Sequence, residues 1–324
     1  MRRLQDGKSS AMELIDGLPS RGGLPLAHDF WVRGGYPEPW LNAGDAFRSH
    51  WTEQYIQSYL FRDVKRLFPG LDELRFRRFL ELLGGLSGRI LNFAEVARAL
   101  GVSQPTARDY FEIAHGAFIW RTVPAQTRDT LKRVVKHPRG YVRDSGLLHA
   151  LLRIPDLDAL LSHPRMGASW EGMVVEEVLP QLNALGVGRR YAYYCTGGGA
   201  EVDLVLEGAF GVVAIEIKHT STVGGRELRS LRDFVAGHKA GLGVVINNDV
   251  APRIYEDQII GLQNESSCNK IPPFVASRNQ VSRFQPGAEI RNIWQAWLVL
   301  QRDFVTVLYG DPISRLSLHG SLTK

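Results

Sequence analysis

The sequence has little cysteine and no long apolar segment. Only Cys195 and Cys268 occur among 324 residues, without the paired spacing of a disulfide framework or a thiolate zinc site, which favours a reducing compartment. No segment reaches the roughly 18 uncharged apolar residues that a membrane span needs, and the first residues lack the apolar core of a signal peptide. We therefore expect a cytoplasmic protein that does not contact a membrane.

A phosphate-binding loop is also missing. No G-x-x-x-x-G-K-[ST] occurs in the chain, so the sequence has no loop of that kind to hold the β- and γ-phosphates of ATP. We therefore expect neither an ATP site nor ATP hydrolysis from this chain alone.

The positive charge is concentrated in one segment. The net charge of the chain is +5 and its isoelectric point is about 9.2. Residues 89 to 143 alone carry ten Lys or Arg against four acids. This local excess favours a polyanionic partner such as DNA.

Glycine and proline divide the first part of the chain. Residues 1–43 contain "PSRGGLPL" and "RGGYPEPW" and are predicted to be irregular, with little core of their own. Residues 44–88 have the helical spacing of apolar side chains, interrupted at "FPG". They are predicted to form a lid-like segment of two helices.

Residues 89–160 have the pattern of a winged helix-turn-helix. Asn92 and Ser103 are each placed to cap a helix, and Gly101 between them supplies a tight turn. The apolar runs "AFIWRTV" and "GYVRDSGLL" follow and are predicted to be strands of the wing.

Exposed polar side chains of this unit are the candidates for DNA contact. A helix can enter a groove while Lys and Arg of the wing contact phosphates. The candidates are Gln104, Thr106 and Arg108 on the second helix, and Lys132, Arg133 and Lys136 in the wing. The alternative is a structural winged helix that packs between domains, with its charges merely solvated.

Residues 165–262 predict a mixed sheet with flanking helices. Ser169 is placed to cap a helix that carries Glu171 among apolar residues. The runs "YAYYC", "EVDLVLE", "GVVAIEIKH" and "GLGVVIN" then predict strands, with the helix "RELRSLRDFVAGH" between the last two.

Four charged residues interrupt these otherwise apolar elements. Glu216 and Lys218 are two apart and so share one face of a strand, and the short "EGAF" connection makes the strand of Asp203 an antiparallel neighbour. Glu171 approaches from the helix. Three carboxylates and an amine fit a hard divalent ion such as Mg²⁺, with Asp203, Glu216 and Glu171 as ligands and Lys218 assisting a water. The alternative for Glu-x-Lys is an exposed ion pair.

These segments together resemble a known family. The block from Glu171 to Lys218 resembles the PD-(D/E)xK nuclease superfamily. Together with "WVRGGYPEP", "YLFRDV", "LSGRILNFAEVARALGVSQPTARDYF" and "VVKHPRGYVRDSGLLHALL", it looks like the carboxy-terminal half of a prokaryotic AAA-family ATPase with the domain of unknown function 4143. The resemblance covers about Phe30 to Leu262. Because the P-loop is missing, residues 1–43 are interpreted as the remnant of a lost ATPase module.

The resemblance implies the fold and the site. The expected fold is α/β, or α+β overall: a helical segment and a winged helix-turn-helix, followed by a restriction-endonuclease-like mixed sheet with flanking helices. Glu171, Asp203, Glu216 and Lys218 match the superfamily's catalytic positions. Residues 263–324 depart from the family and are expected to be an atypical tail, with low order over 263–285.

Three functions stay open. The first is Mg²⁺-dependent phosphodiester hydrolysis on a nucleic acid. The second is a non-catalytic module that binds DNA or a protein, with the carboxylates paired to Lys and Arg. The third is a functionless remnant of an ATPase. DNA is the expected partner, and a homo-oligomer or an ATPase partner is left open beside it.

Overall fold

The computed structural model describes residues 24–41, 44–126, 136–184, 186–238, 240–249 and 252–263. Residues 1–23 of the segment interpreted as a remnant (1–43), and residues 264–324 of the predicted tail (263–324), lie outside these ranges. Lys132, Arg133 and Cys268 are also outside the described residues.

The first part of the described chain is helical. As predicted, the helices that follow residue 44 are interrupted at Phe68–Gly70, because Pro69 supplies no amide proton and Gly70 carries no side chain. The bounds are Leu24–Arg33 (α1), Glu38–Leu41 (α2), Asp45–Tyr55 (α3), a π-helical stretch over Ile56–Asp63, Val64–Leu67 (α4) and Glu73–Leu86 (α5).

Helix α1 corrects the prediction that residues 1–43 are irregular. Pro25 lies in the first turn, where its missing amide proton has no helical partner in any case. Gly34 has a φ of 79° and follows the last residue of the helix. Between them, Ala27 and Trp31 are fully buried. Glycine and proline thus mark the ends of a core helix here instead of preventing one.

The predicted order of helix, turn, helix, strand and strand is observed in the next unit. Asn92 accepts hydrogen bonds from the amides of Ala94 and Glu95, Gly101 has the left-handed φ of 64°, and Ser103 accepts from the amide of Thr106. The elements are Arg89–Ile90 (β1), Phe93–Leu100 (α6), Gln104–Gly116 (α7), Trp120–Val123 (β2) and Arg139–Val142 (β3). Strand β3 lies between β1 and β2 and is antiparallel to both.

A long helix connects this unit to the second sheet. Helices Ser145–Leu151 (α8) and Leu157–Leu161 (α9) precede Met166–Ala184 (α10). The prediction that Ser169 caps α10 is wrong, since the helix begins three residues earlier. The Ser169 hydroxyl instead accepts from Trp31 Nε1 at 2.9 Å and lies 2.7 Å from His149 Nε2. The Ser169 hydroxyl therefore links α10 to α1 and α8 through hydrogen bonds.

The second sheet contains the predicted strands in the predicted order. The elements are Arg189–Cys195 (β4), Glu201–Gly208 (β5), Gly211–Ile217 (β6), Arg229–His238 (α11), Leu242–Asn247 (β7), Arg253–Glu256 (β8) and Ile259–Gln263 (β9). In the described residues they form a mixed sheet in the order β4-β5-β6-β7-β9-β8. Strands β4, β5 and β6 are antiparallel, whereas β6, β7 and β9 are parallel.

Helices cover both faces of this sheet. Trp170, Val174 and Val178 of α10 share one apolar cluster with Leu204 and Ile215. Leu231 and Phe234 of α11 belong to another cluster with Val205 and Ala214. The alternation of inward side chains along β5 and β6 thus gives each helix its own face. None of the described helices is long and apolar enough to cross a membrane.

Candidate functional site

The site lies where strands β5 and β6 begin to separate. Their antiparallel register pairs Leu204 with Ile215 and continues toward a two-residue hairpin. Beyond this pair the side chain of Asp203 accepts a hydrogen bond from the strand opposite. The Ile217 amide donates to Asp203 Oδ2 at 2.8 Å. This side-chain bond holds the Asp203 carboxylate over β6, as the spacing predicts.

Lys218 connects the two strand carboxylates. Its Nζ lies 2.6 Å from Glu216 Oε1 and 3.9 Å from Asp203 Oδ2. Both carboxylates are almost fully buried, whereas 36% of the Lys218 side chain is exposed. Asp203 and Glu216 are therefore close enough to approach one ligand, and the amine borders solvent at the same point.

Glu171 lies on the buried side of α10 but contacts different partners. Its Oε1 accepts from Arg139 Nη1 at 2.8 Å and from the hydroxyl of Tyr141. Both partners belong to β3 of the other sheet. No direct contact joins Glu171 to Lys218 in the described structure, so the helix glutamate approaches Asp203 through Arg139.

Arg139 is the residue of the candidate site that sequence reasoning missed. Its Nη1 also lies 3.6 Å from Asp203 Oδ1, and its Nη2 contacts Glu201. In the sequence, Arg139 looks like any other basic residue of the predicted wing. Every residue of the short strand Arg139–Val142 is buried, and an arginine buried in an apolar strand requires carboxylate partners. Recognising that strand as buried is the signal that identifies Arg139.

Burial dominates the electrostatics of the carboxylates. It raises the pKa of Glu171 to about 7, with a further upward contribution from Asp203 that Arg139 opposes. It raises the pKa of Glu216 to about 8, with Asp203 adding to the effect and Lys218 opposing it. Burial disfavours charge on Lys218 too, but Asp203 and Glu216 outweigh it and the pKa of Lys218 is raised. The Lys218 amine therefore stays protonated at neutral pH. Burial disfavours the ionised form of Glu216, and additional positive charge nearby would favour that form.

The donor set fits a hard divalent cation held by two carboxylates. Glu216 Oε2 is buried and has no hydrogen-bond partner, so one oxygen remains for a ligand. Among the described residues, no group of three His, Cys, Asp or Glu side chains is arranged to hold a metal ion. Mg²⁺ commonly binds one or two carboxylates and completes its shell with waters and phosphate. Asp203 and Glu216 fit that mode, whereas Glu171 is directed to Arg139.

Two matches to known families divide the chain close to this site. Residues 24–158 match the model of a domain of unknown function (DUF8612). Residues 166–264 match the model of a domain of unknown function (DUF4143). The chain is also 36% identical over 214 residues to uncharacterized proteins of Mycobacterium tuberculosis and Mycobacterium bovis, which covers 65% of this chain and 48% of each relative. The chain thus spans about half the length of these relatives. No solved structure matches it.

Both matched segments contribute to the site. Glu171, Asp203, Glu216 and Lys218 fall within the DUF4143 match, whereas Arg139 falls within the DUF8612 match. A second ion-pair network joins the same segments, because Glu176 of α10 contacts Arg121 and Arg143 from strand β2 and the residue after β3. The site is therefore built across the boundary between the two segments.

The nucleic-acid candidates are spread over the helix-turn-helix unit. Gln104 and Lys136 are exposed, and the Thr106 hydroxyl lies 2.8 Å from Ser103 Oγ in the cap of α7. The guanidinium of Arg108 lies 4.2 Å from the centre of the Phe93 ring. Their contact with DNA stays a prediction, and Lys132 and Arg133 lie outside the described residues.

Proposed function

We propose that this is a nucleic-acid-associated protein whose second sheet holds a Mg²⁺-dependent site for phosphodiester hydrolysis. The observation that carries the proposal is the contact of one amine, Lys218 Nζ, with Glu216 at 2.6 Å and Asp203 at 3.9 Å. The unpartnered Glu216 Oε2 adds a free ligand atom at the same place. A pair of carboxylates beside a solvent-facing amine suits the binding of a cation and a phosphate.

The order of elements supports the same proposal. Helix α10, strands β4, β5 and β6, helix α11 and strand β7 follow one another with the site on β5 and β6. This is the order expected for a PD-(D/E)xK nuclease-like domain. A relation to AAA-family ATPases is proposed on the resemblance of the sequence segments, and with it an ATPase chain or a second copy of this chain as a partner.

Each side chain has a role in the proposed reaction. Asp203 and Glu216 would hold Mg²⁺, which supplies positive charge for a phosphate and lowers the pKa of a bound water. Lys218 donates a hydrogen bond from Nζ, either orienting the attacking water or stabilising negative charge as the phosphodiester is attacked. The Ile217 amide fixes the rotamer of Asp203. Glu171 adds a third carboxylate to the site and keeps Arg139 in position.

Cleavage of nucleic acid tests the proposal directly. The full chain would be incubated with supercoiled plasmid and with a single-stranded oligonucleotide in Mg²⁺, in Mn²⁺ and in EDTA. We expect metal-dependent cutting that Asp203→Asn and Lys218→Ala reduce by at least about a hundredfold, as for loss of one group that acts in the transition state. Asp233→Asn, at an exposed position of α11, is the matched control. Cutting that both variants retain would rule out this site.

A non-catalytic binding module is the second candidate. The observation in its favour is that Arg139 Nη1 already lies between Glu171 and Asp203, at 2.8 Å and 3.6 Å. Arg139 then balances part of the negative charge of these carboxylates without a metal ion. This function predicts no cutting in any metal, together with salt-sensitive DNA binding that Lys136→Ala, Lys132→Ala and Arg133→Ala weaken together.

A further inference from the structure

A cavity in the first, helical part of the described chain has neither Asp203 nor Glu216 in its lining. Its volume is about 430 Å³, and it is bordered by α1, α3, α8 and the segment that follows α8. Small-molecule sites in proteins commonly enclose roughly 300–1,000 Å³. Ser49, Glu53 and Gln57 at its border are exposed, so the cavity communicates with solvent and has room for a small organic molecule.

Arginines dominate the charge of the lining. Arg33, Arg48 and Arg153 line the cavity, and Glu53 is the acid among its lining residues. Asp29 pairs with Arg33 at 2.6 Å. Arg153 is exposed and has no acidic partner within ion-pair distance among the residues that the structure describes. Arg153 is therefore the lining arginine without an acidic partner among the described residues, and it favours a negatively charged occupant.

Arg48 is a buried cation held by two backbone carbonyls and by one solvent-exposed carboxylate. Only 8% of the residue is exposed, and its Nη1 and Nη2 donate to the carbonyl oxygens of Val32 at 3.3 Å and Pro155 at 2.5 Å. Its Nε is buried without an acceptor. Asp45 lies 3.5 Å away, but 78% of that side chain is in solvent. Solvent weakens the contact with Asp45, and Nε leaves this buried arginine one donor for an anion.

The remaining lining is suited to the uncharged part of a ligand. Ile56, Ile154 and Pro155 form apolar wall, while Thr52 and Gln57 provide hydrogen-bonding groups. His149 also borders the cavity, and burial lowers its pKa to about 4. It therefore contributes a neutral imidazole there and no fourth cation.

We propose that this cavity binds a small organic anion, in which a phosphate or carboxylate group contacts Arg48 and Arg153 and a compact body contacts the apolar wall. The guanidinium group matches both oxyanions with paired hydrogen bonds. The size of the cavity fits a nucleoside monophosphate or a tricarboxylate. The site does not involve Asp203 or Glu216, so it stands independently of the proposed hydrolysis.

Binding to the full chain tests the proposal with three probes. Adenosine monophosphate, citrate and inorganic phosphate would each be titrated by calorimetry in EDTA, which keeps metal away from the strand carboxylates. We expect saturable binding of one organic anion, with a dissociation constant of about 1 mM or tighter. Preference for adenosine monophosphate identifies a phosphate ligand, and preference for citrate a carboxylate ligand.

Variants of the cavity decide where the anion binds. Arg153→Gln, at an exposed position, is expected to weaken binding by about tenfold, the loss of one charge-assisted hydrogen bond. Arg33→Gln, whose arginine is paired with Asp29, should weaken binding less. Arg48→Lys keeps the charge and is checked for folding by circular dichroism. Arg229→Gln, exposed on α11, is the control and should bind like the wild type. The proposal is overturned by the absence of saturable binding of all three probes, or by equal affinity in the Arg153→Gln and control variants.

Discussion

Arg139 Nη1 lies 2.8 Å from Glu171 Oε1, which places a cation of the first sheet against an acid of the helix that covers the second. The same nitrogen lies 3.6 Å from Asp203. Only 6% of the arginine side chain is exposed, so solvent does little to screen these contacts. The acids of the candidate site are thus partly balanced by a neighbouring unit of the same chain.

Replacement of Arg139 is expected to destabilise the folded protein, because it removes the cation that partly balances these acids. Arg139→Gln leaves Glu171 and Asp203 buried without this cation, and we expect a loss of about 3 kcal/mol in the free energy of unfolding at pH 8. The loss should be smaller at pH 6, since the pKa of Glu171, raised by burial to about 7, allows it to be neutral there. Urea unfolding of both proteins measures this.

The matched control for Arg139 is a surface arginine. Arg190 lies 2.9 Å from Glu207 and is 66% exposed, so Arg190→Gln should cost less than about 1 kcal/mol. Addition of Mg²⁺ should stabilise Arg139→Gln more than the wild type if the cation binds beside Asp203. Equal stabilisation of the two proteins would show that Arg139 and Mg²⁺ do not share these carboxylates.

Glu176 is expected to be a principal contact between the two units. It lies 2.9 Å from Arg143 and also contacts Arg121, and only 8% of its side chain is exposed. Glu176→Gln leaves two arginines without their carboxylate and should lower the free energy of unfolding by about 3 kcal/mol. Chemical denaturation measures the loss. Glu256→Gln, which removes a half-exposed pair with Arg232, should change stability by less than about 1 kcal/mol.

His149 is expected to make stability depend on pH in acid. Burial lowers its pKa from 6.5 to about 4, so the unfolded chain binds a proton over the window in which the folded protein does not. Its contribution is fully present above pH 6.5 and is lost as the pH falls toward 4, by at most about 3 kcal/mol. In His149→Gln this part of the pH dependence should disappear. Thermal unfolding from pH 4 to 7 compares the two, and parallel curves would contradict the assignment.

Gly140 is expected to tolerate no side chain. A Cβ at this position would lie 2.2 Å from Cζ2 of the Trp120 ring, which is fully buried. Gly140→Ala should therefore push β3 away from β2 and displace the adjacent Arg139, at a cost of about 3 kcal/mol or less. Gly116→Ala, where a Cβ meets nothing within 4 Å, is the control for the same chemical change. The midpoint of urea unfolding distinguishes them.

Local spacing was sufficient to predict one half of the site. Asp203 and Glu216 are brought together by a two-residue hairpin, and the period of a strand places Lys218 beside Glu216. Such relations depend on a few adjacent residues, so the sequence carries them. The break at Phe68–Gly70 and the caps at Asn92 and Ser103 were predictable for the same reason.

Relations between distant segments were not predictable in this way. The contact of Arg139 with Glu171 depends on how the first sheet packs against α10, which no local pattern encodes. Ser169 has the residue type of a helix cap, yet its hydroxyl contacts Trp31 and His149 instead. Helix α1 was missed because the glycines and proline that mark its ends were interpreted as evidence against it.

Because the Ile217 amide donates to Asp203 Oδ2, the hydrogen-exchange rate of this amide depends on the position of the Asp203 carboxylate. A backbone amide in a sheet is normally protected by another backbone carbonyl, but this one depends on the position of a single side chain. Any ligand that draws the Asp203 carboxylate outward removes that acceptor, so the amide of Ile217 would exchange faster with deuterium while the paired amides of β6 keep their protection. The exchange rate of one proton thus follows the state of the site without any substrate.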